Sequence, residues 1–396
     1  MLPNTTKPHK YFTELAKTHG PLMSLKLGSI TAFVVSNTTL AQQVLLKNHD
    51  VFSTLYDLDA IQAHDHEKFS IGPLPASSPK WKVLRKIYNT RLLSDKMLEQ
   101  MQNHRYRELE KLLCYVKECS QANIFVDVGQ TVYDVSFNML FDEIVDMRLK
   151  SRKDQVQRLG LYNDLLDVIF DVMEEQRDNI SQDQLHHLLL DLLGAGKDTT
   201  SKTMEWAMAE LLRNPIILRK LQEEIDGVMG KDNSTTILES HISKLPYLQA
   251  IVKETLRLHP SAPLLLPRKV EKDVEIDGFQ LSKGAMLIIN AWAIGRDPKT
   301  WFDPDSFIPD RFLGSEVSMQ SQFNKLFTFG GGKKICPGIS LATNMISLVL
   351  GNLIKSYDWK LDDVGELKQV LDMDDYYGIT IKKAKSLRAI PIKRSS

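Results

Sequence analysis

A single cysteine inside a glycine-rich segment is the first candidate for chemistry in this sequence. Residues 329–338 read Phe-Gly-Gly-Gly-Lys-Lys-Ile-Cys-Pro-Gly. Three successive glycines permit positive φ angles and let the backbone approach a large or flat partner closely. Cys336 follows at the predicted start of a helix, where unpaired N–H groups and the helix dipole stabilise a thiolate. These residue types alone are compatible with a reactive or ligand-binding thiolate, and also with an ordinary loop.

A second candidate lies inside a long predicted helix, at residues 195–200, which read Ala-Gly-Lys-Asp-Thr-Thr. Glycine within a helix costs about 1 kcal/mol relative to alanine, so some compensation is expected. The Thr199 hydroxyl can donate to the carbonyl of Ala195, four residues earlier, and open the helix locally. A buried pair of Asp198 and Thr199 could then relay protons. The alternative is a helix with a chance kink.

Charged and aromatic side chains at helical spacing form a third group of candidates. Glu254 and Arg257 are three residues apart, so they share one face of a predicted helix. Trp81 and Arg85 are four residues apart and share a face in the same way, and Arg268 follows an apolar run that ends in proline. Taken one at a time, such residues are usually solvated, and an exposed ion pair contributes little to stability.

The spacing Phe-x-x-Gly-x-x-x-Cys-x-Gly at residues 329–338 resembles the heme-thiolate loop of the cytochrome P450 monooxygenases. Further motifs follow in the family's order. Residues 195–200 resemble its oxygen-activation site, and Glu254 and Arg257 with Arg311 resemble its structural triad. The resemblance implies that this triad fixes the segment that precedes the cysteine loop.

The same resemblance implies the cofactor and its ligands. The cofactor would be heme b, with Cys336 as the axial ligand of the heme iron and with Asp198 and Thr199 as the catalytic pair that delivers protons. A cation at Lys197 would disturb that delivery if it pointed inward. Lys334 stands where relatives more often have arginine, so it would pair a heme propionate as a point charge. The implied heme-binding residues are Trp81, Arg85, Arg268, Phe329, Gly332, Lys334, Cys336 and Gly338.

The implied activity is insertion of one oxygen atom of O2 into a hydrophobic small molecule. Electrons would come from NADPH through a separate NADPH–cytochrome reductase, because the sequence has no dinucleotide-binding glycine fingerprint. Residues 264–269, 291–297 and 377–380 resemble the plant microsomal group that includes geraniol hydroxylases and other terpenoid oxidases. This implies a terpenoid substrate, a monomer and the cytosolic face of the endoplasmic reticulum membrane. Substrate contacts would come from residues 51–78, 262–266 and 376–379.

Two parts of the family pattern are missing. One is the N-terminal membrane anchor, and without it a peripheral or cytosolic location is also open. The other is a stretch of roughly 60–70 residues, the length of two long helices and a loop, between Phe141 and Asp142. In relatives those helices form the lid over the substrate channel, whereas residues 132–150 read here as one helical pattern.

The missing lid leaves two interpretations from different classes. The chain is either a working monooxygenase or a catalytically impaired heme-binding remnant, such as a splice form or a truncated gene model. A heme-thiolate isomerase is disfavoured, because chemistry that needs no oxygen has no need of a proton relay at Thr199.

Composition excludes several other classes of protein. The chain has 396 residues, of which 43% are hydrophobic and 25% charged, as in ordinary globular proteins. Its 50 basic and 50 acidic residues cancel, which argues against a nucleic-acid-binding protein. Its 3 cysteines do not form a disulfide framework. No segment reaches the roughly 18 apolar residues that a membrane span needs.

The predicted elements give a mainly α fold with a small β component (α+β) in a single domain, residues 1–396. A strand-rich N-terminal part covers about residues 1–50, a helical heme-binding body about 80–355, and C-terminal strands about 356–396. Two strands flank Gly28, and residues 274–294 are predicted to form a hairpin. Helices are predicted at 37–47, 80–92, 95–119, 130–155, 160–177, 181–212, 215–230, 246–258 and 336–355.

Overall fold

The structure, a computed structural model, describes residues 6–57, 65–140, 181–230, 235–314, 325–361 and 371–394. Helices outweigh strands among them, which confirms the predicted mainly α fold with a small β component. The chain forms two compact units. The first comprises Met1–Arg85, Ala250–Pro337 and Asp374–Ala384, and the second comprises Lys86–Gln249, Gly338–Met373 and Lys385–Ser396.

The strands are short and form small sheets. They are β1 (Leu22–Leu27), β2 (Ile30–Val35), β3 (Val126–Asp127), β4 (Arg268–Lys269), β5 (Val274–Ile276), β6 (Phe279–Leu281), β7 (Met286–Ile289), β8 (Tyr357–Leu361), β9 (Asp375–Tyr376), β10 (Lys382–Lys383) and β11 (Arg388–Lys393). The first unit holds a sheet of order β1-β2-β7-β4 and the antiparallel pairs β5–β6 and β9–β10. The second unit holds a sheet of order β3-β11-β8.

The helices carry most of the chain. They are α1 (Pro8–His19), α2 (Thr38–Gln42), α3 (His66–Phe69), α4 (Pro79–Ile87), α5 (Asp95–Gln100), α6 (Gln102–Ala122), α7 (Val128–Leu140), α8 (Gln182–Leu192), α9 (Asp198–Arg213), α10 (Pro215–Met229), α11 (Glu239–Ile242), α12 (Pro246–Leu258), α13 (Ala291–Ile294) and α14 (Ile339–Ser356). The π-helical turns are Gln43–Lys47, Tyr88–Leu92 and Leu193–Lys197, and the 3-10 turns are Pro309–Phe312 and Gly332–Lys334.

The core of the first unit lies against its four-stranded sheet. Strand β7 is buried at every position and lies between β2, to which it is parallel, and β4. A continuous apolar run is what a strand covered on both faces requires. Helix α2 begins where the sequence predicts, because the Asn37 side chain accepts a hydrogen bond from the Leu40 amide at 2.9 Å.

The core of the second unit is built around helix α9. This helix packs against α7 and α14, and Trp206 on α9 is almost fully buried. Helix α14 is the one helix among the described residues that is long and apolar enough to cross a membrane. However, 72% of it is buried inside the protein, as in the core helix of a globular fold.

Several predicted elements are wrong in detail. Helix α1 was not predicted in the strand-rich N-terminal part, although Pro8 at its first turn is a helix-start signal. Residues 274–294 do not form one hairpin. After β5–β6 the chain turns at Gly284, and β7 joins the large sheet instead, because its four residues are too apolar for an exposed hairpin. The predicted helix 95–119 is interrupted at Met101, where α5 ends and α6 begins.

Other predictions lie wholly or partly outside the described residues. The predicted helix at residues 160–177, the continuation of α7 beyond Leu140 and the predicted gap between Phe141 and Asp142 all do.

Candidate functional site

The cysteine loop of the first unit is shaped by glycines with left-handed backbone angles. Gly330 has φ +73° and Gly332 has φ +66°, both in the region that favours glycine. The Cys336 amide donates to the carbonyl of Phe329 at 3.0 Å and thereby closes the loop. Helix α14 begins three residues after Cys336, with Gly338 as its N-cap residue, so the cysteine belongs to the turn before the helix.

The same loop packs tightly against the π-helical turn Gln43–Lys47. A β-carbon added at Gly332 would lie 2.2 Å from the Leu45 carbonyl oxygen, so only glycine fits there. A β-carbon at Gly331 would lie 3.2 Å from the Leu45 β-carbon. At the edge of the contact, Lys333 pairs with Asp50 at 2.6 Å. The glycines therefore set how closely the loop approaches this turn.

Two predicted cations fix the backbone around the loop. Arg85, on α4, donates to the carbonyl of Ile335, the residue before the cysteine, at 2.7 Å. The Lys334 ammonium donates to the Ile71 and Gly72 carbonyls at 3.0 and 2.9 Å and also to that of Leu74. These contacts hold the loop to residues 71–74. The propionate role implied for both cations stays a prediction.

Two other predicted heme-binding residues, Arg268 and Trp81, each have a buried N–H group without a hydrogen-bond partner among the described residues. Arg268, on β4, is 5% exposed, and its Nη1 donates to the Phe52 carbonyl at 2.9 Å. Its Nε, like Nε1 of the buried Trp81, has no hydrogen-bond partner within the part of the chain that the structure describes. Burial lowers the pKa of Arg268 to about 10, so it remains a cation at neutral pH.

A buried guanidinium without an anion is costly. Arg268 has no carboxylate partner in the described ranges. Its Nη2 lies 3.7 Å from where a Gly330 β-carbon would be, so the charge is beside the cysteine loop. A group that carries carboxylates and an iron atom would give the Arg268 and Trp81 donors partners, and Cys336 in the same unit can supply a thiolate to iron. The first unit therefore fits heme.

The triad Glu254, Arg257 and Arg311 combines a buried ion pair, Glu254 and Arg257, with the half-buried Arg311. Glu254 accepts from Arg257 Nε at 2.7 Å and Nη2 at 2.8 Å, and from Arg311 Nε at 3.1 Å. Glu254 and Arg257 are both 0% exposed, so the alternative of a solvated surface pair is wrong. Arg257 also donates to the Gly295 and Pro304 carbonyls, at 2.5 and 2.6 Å. One buried pair thus connects α12 to two loops.

In the second unit, the predicted distortion of the long helix is present. The helix is π-helical at Leu193–Lys197, between α8 and α9, and Thr199 Oγ1 donates to the Ala195 carbonyl at 2.6 Å. Gly196 packs closely against Leu140, whose Cδ1 lies 2.8 Å from where a β-carbon would be.

The cation beside Asp198 is a different lysine from the expected one. Lys197 lies over the ring of Tyr133, with its Nζ 4.3 Å from the ring centroid. The Asp198 carboxylate instead pairs with Lys202, one turn along α9, at 3.0 Å. The expectation of a buried pair is wrong, since the Asp198 side chain is 37% exposed and Thr199 is half-buried. Sequence reasoning missed Lys202, although its spacing of four residues from Asp198 is the signal for such a pair.

Comparison with known proteins identifies the class that this fold and cysteine loop define. The family model for cytochrome P450 matches residues 1–161 and 142–386. The chain belongs to the cytochrome P450 family. It is therefore an oxidoreductase that incorporates oxygen, and the family implies heme iron, a redox partner and a hydrophobic substrate.

Plant proteins are among its relatives. Geraniol 8-hydroxylase of Catharanthus roseus is 37% identical, over 97% of this chain and 90% of that protein. Cytochrome P450 76AD1 of Beta vulgaris is 38% identical, over 98% and 90%. A zebrafish cytochrome P450 solved with abiraterone has a TM-score of 0.80 at 23% identity, covering 99% of this chain and 100% of that one. This last similarity shows the fold alone.

The comparisons also bear on the predicted internal gap. The alignment with the Catharanthus protein runs over 446 positions, although it covers only 97% of the 396 residues here. Roughly 60 aligned positions therefore have no residue in this chain, close to the length of two helices and a loop. The family match divides in two at residues 142–161, next to the predicted gap.

Proposed function

We propose that this chain is a monooxygenase that hydroxylates a hydrophobic terpenoid. The observation that carries the proposal is its similarity to geraniol 8-hydroxylases of two plants, Catharanthus roseus at 37% and Swertia mussotii at 35% identity, each over 97% of this chain. Another relative at 37% identity is named 7-ethoxycoumarin O-deethylase, from Helianthus tuberosus. The names of these relatives have an apolar substrate in common, and we propose a terpenoid as the particular class.

The residues of the first unit would hold the cofactor. When bound, heme supplies the activation of dioxygen, which protein side chains cannot provide. Cys336 would be its axial thiolate, in a loop whose shape the Phe329 carbonyl and two left-handed glycines fix. Arg268 Nε and Trp81 Nε1 would donate to its carboxylates, which would end the burial of unpaired donors. Arg85 supports the loop from outside through Ile335.

In the second unit, Asp198 and Thr199 would hold and move protons. The Thr199 hydroxyl donates its hydrogen bond to the Ala195 carbonyl, so the lone pairs of its oxygen can act as acceptors. Lys202 holds the Asp198 carboxylate at 3.0 Å on the same helix. Asp198 and Thr199 would pass a proton along by exchanging these hydrogen-bond partners, which is the role of a general acid.

The proposed electron donor, location, oligomeric state and substrate contacts rest on membership of the family. Electrons would come from NADPH through a separate reductase at the cytosolic face of the endoplasmic reticulum, and the chain would act as a monomeric single domain. Substrate contacts would come from the described parts of 51–78, from 262–266 and from 376–379. Leu266, Tyr376 and Ile379 there are exposed apolar side chains, as a site for a hydrophobic ligand needs.

A second candidate function is a heme-binding remnant without turnover, and the roughly 60 missing positions favour it. Two questions separate the two functions, and the first is whether Cys336 ligates the heme iron. Carbon monoxide added to the reduced, heme-loaded chain answers it. A strongly red-shifted Soret band means that Cys336 ligates the iron. A band typical of neutral ligands, or no heme, means that the shortened chain cannot hold its thiolate.

The second question is turnover. With an NADPH-dependent reductase present, geraniol should increase NADPH consumption and yield a hydroxylated product that the Cys336→Ser variant does not form. A red-shifted Soret band without substrate-dependent NADPH consumption would establish the remnant instead.

A further inference from the structure

A buried histidine in the first turn of α1 has no role in the site described above. His9 is 0% exposed, and neither ring nitrogen has a hydrogen-bond partner among the residues that the structure covers. Its ring stacks on that of Tyr377, with the ring centroids 5.4 Å apart and an angle of 19° between the ring planes. It also meets the Trp292 ring edge to face, with the centroids 5.5 Å apart. A buried polar ring without hydrogen bonds is costly, so these ring contacts are its compensation.

Ion pairs surround the histidine. Its Nε2 lies 3.7 Å from the Asp375 carboxylate, beyond hydrogen-bonding distance. That carboxylate is 2.5 Å from Lys10 Nζ, and Lys7 pairs with both Asp374 and Asp375. Burial lowers the pKa of His9 more than Asp375 raises it, while Lys10 and Arg296 lower it further. A neutral imidazole therefore packs beside carboxylates that the two lysines already neutralise.

These contacts fix one end of an exposed turn. Asp375 and Tyr376 form β9, and the chain returns through β10. Tyr376, where β9 passes into the turn, is 61% exposed, and Ile379 within the turn is 86% exposed. At the other end, the Ile381 amide donates to the Ser261 carbonyl at 2.9 Å. The turn is thus held at Asp375 by helix α1 and at Ile381 by the loop that contains Ser261.

We propose that His9 is a positioning residue for substrate selection: by stacking on Tyr377, helix α1 holds the turn 376–380 in the place where it contacts substrate. The part that concerns substrate rests on the proposed function. The ring itself does the positioning, because its nitrogens are unpaired and its faces and edges are the groups in contact. A phenylalanine should therefore replace it, and an alanine should not.

The test uses the full heme-loaded chain and three variants, His9→Ala, His9→Phe and His19→Ala. His19 is the exposed histidine at the other end of α1 and is the matched control. Hydrogen exchange of the 375–381 amides reports the turn directly, and the Michaelis constant for geraniol reports its consequence. His9→Ala should exchange at least tenfold faster there and raise KM about tenfold at unchanged kcat per carbon-monoxide-binding heme.

His9→Phe should stay within about threefold of the wild type in both measurements, and His19→Ala should not differ from it. Exchange within twofold of the wild type in His9→Ala, equal losses in His9→Ala and His9→Phe, or faster exchange throughout the first unit would each overturn the proposal. If the wild-type chain turns over no substrate, the proposed function fails, and the exchange measurement still decides whether His9 positions the turn.

Discussion

Two glycines of the cysteine loop offer a matched pair of substitutions, Gly332→Ala and Gly330→Ala. Both positions have left-handed backbone angles, φ +66° and +73°. They differ in the space around an added methyl group. At Gly332 it would lie 2.2 Å from the Leu45 carbonyl oxygen and 2.8 Å from His49 Cβ, whereas at Gly330 the nearest atom is Arg268 Nη2 at 3.7 Å.

The expected cost of each substitution follows from these distances. An alanine in the left-handed region costs about 1–2 kcal/mol, and both variants carry this cost. At Gly332 the loop must also retreat by roughly 1 Å from a backbone oxygen that cannot rotate away, an overpacking cost of about 1–3 kcal/mol. Gly332→Ala should therefore lose about 2–5 kcal/mol of unfolding free energy, and Gly330→Ala about 1–2 kcal/mol.

Urea unfolding of both variants measures this difference, and the carbon monoxide spectrum of the reduced protein measures its effect on Cys336. Gly330→Ala should keep a red-shifted Soret band, whereas Gly332→Ala should lose most of it because the loop leaves Leu45. Equal stabilities within about 0.5 kcal/mol, with equal spectra, would show that contact with Leu45 does not set the loop's position.

Three further predictions concern the buried ion pair, the Thr199 hydroxyl and the buried His9. Glu254→Gln should lower the unfolding free energy by about 3–5 kcal/mol in urea, because it leaves the buried Arg257 cation unpaired. Thr199→Val should cut product formed per NADPH at least tenfold, whereas Thr203→Val, which removes the same kind of back-bond at 2.8 Å one turn later, should change it less than twofold. Burial lowers the pKa of His9, so stability should be full above about pH 6.5 and fall below it by at most about 1.4 kcal/mol per pH unit, and His9→Phe should flatten that slope in urea titrations.

Each of these predictions has a control or a contradicting result. For the triad, Glu14→Gln removes the exposed pair with Lys17 and should cost less than about 1 kcal/mol; a similar cost in Glu254→Gln would contradict the burial argument. Equal uncoupling by the two threonine variants would mean that the helix, and not the Thr199 hydroxyl, matters. The pH argument fails if His9→Phe keeps the wild-type slope, because the proton that the unfolded state takes up is then bound by a group other than His9.

Sequence alone determined the features that depend on neighbours in the chain. The Asn37 cap, the bounds of α12 and the back-bond of Thr199 follow from local spacing, because helix signals and i−4 hydrogen bonds act within a turn or two. The family was also within reach, since the motif around Cys336 keeps fixed spacing within ten residues. Helix α1 was not predicted, although Pro8 is a local helix-start signal, because the strand pattern after it dominated the prediction for the N-terminal part.

Only the tertiary structure decided which of several local possibilities was realised. Strand β7 could end a hairpin or enter a sheet, and pairing with β2 settled the choice, because burying four apolar residues on both faces outweighs a local turn. Whether the Glu254–Arg257 pair is solvated or buried depends on loops that lie far along the chain, with Gly295 38 residues after Arg257 and Arg311 57 residues after Glu254. His9 meets Asp375 from the opposite end of the chain, and no local pattern can predict a contact whose two partners are joined only by the fold.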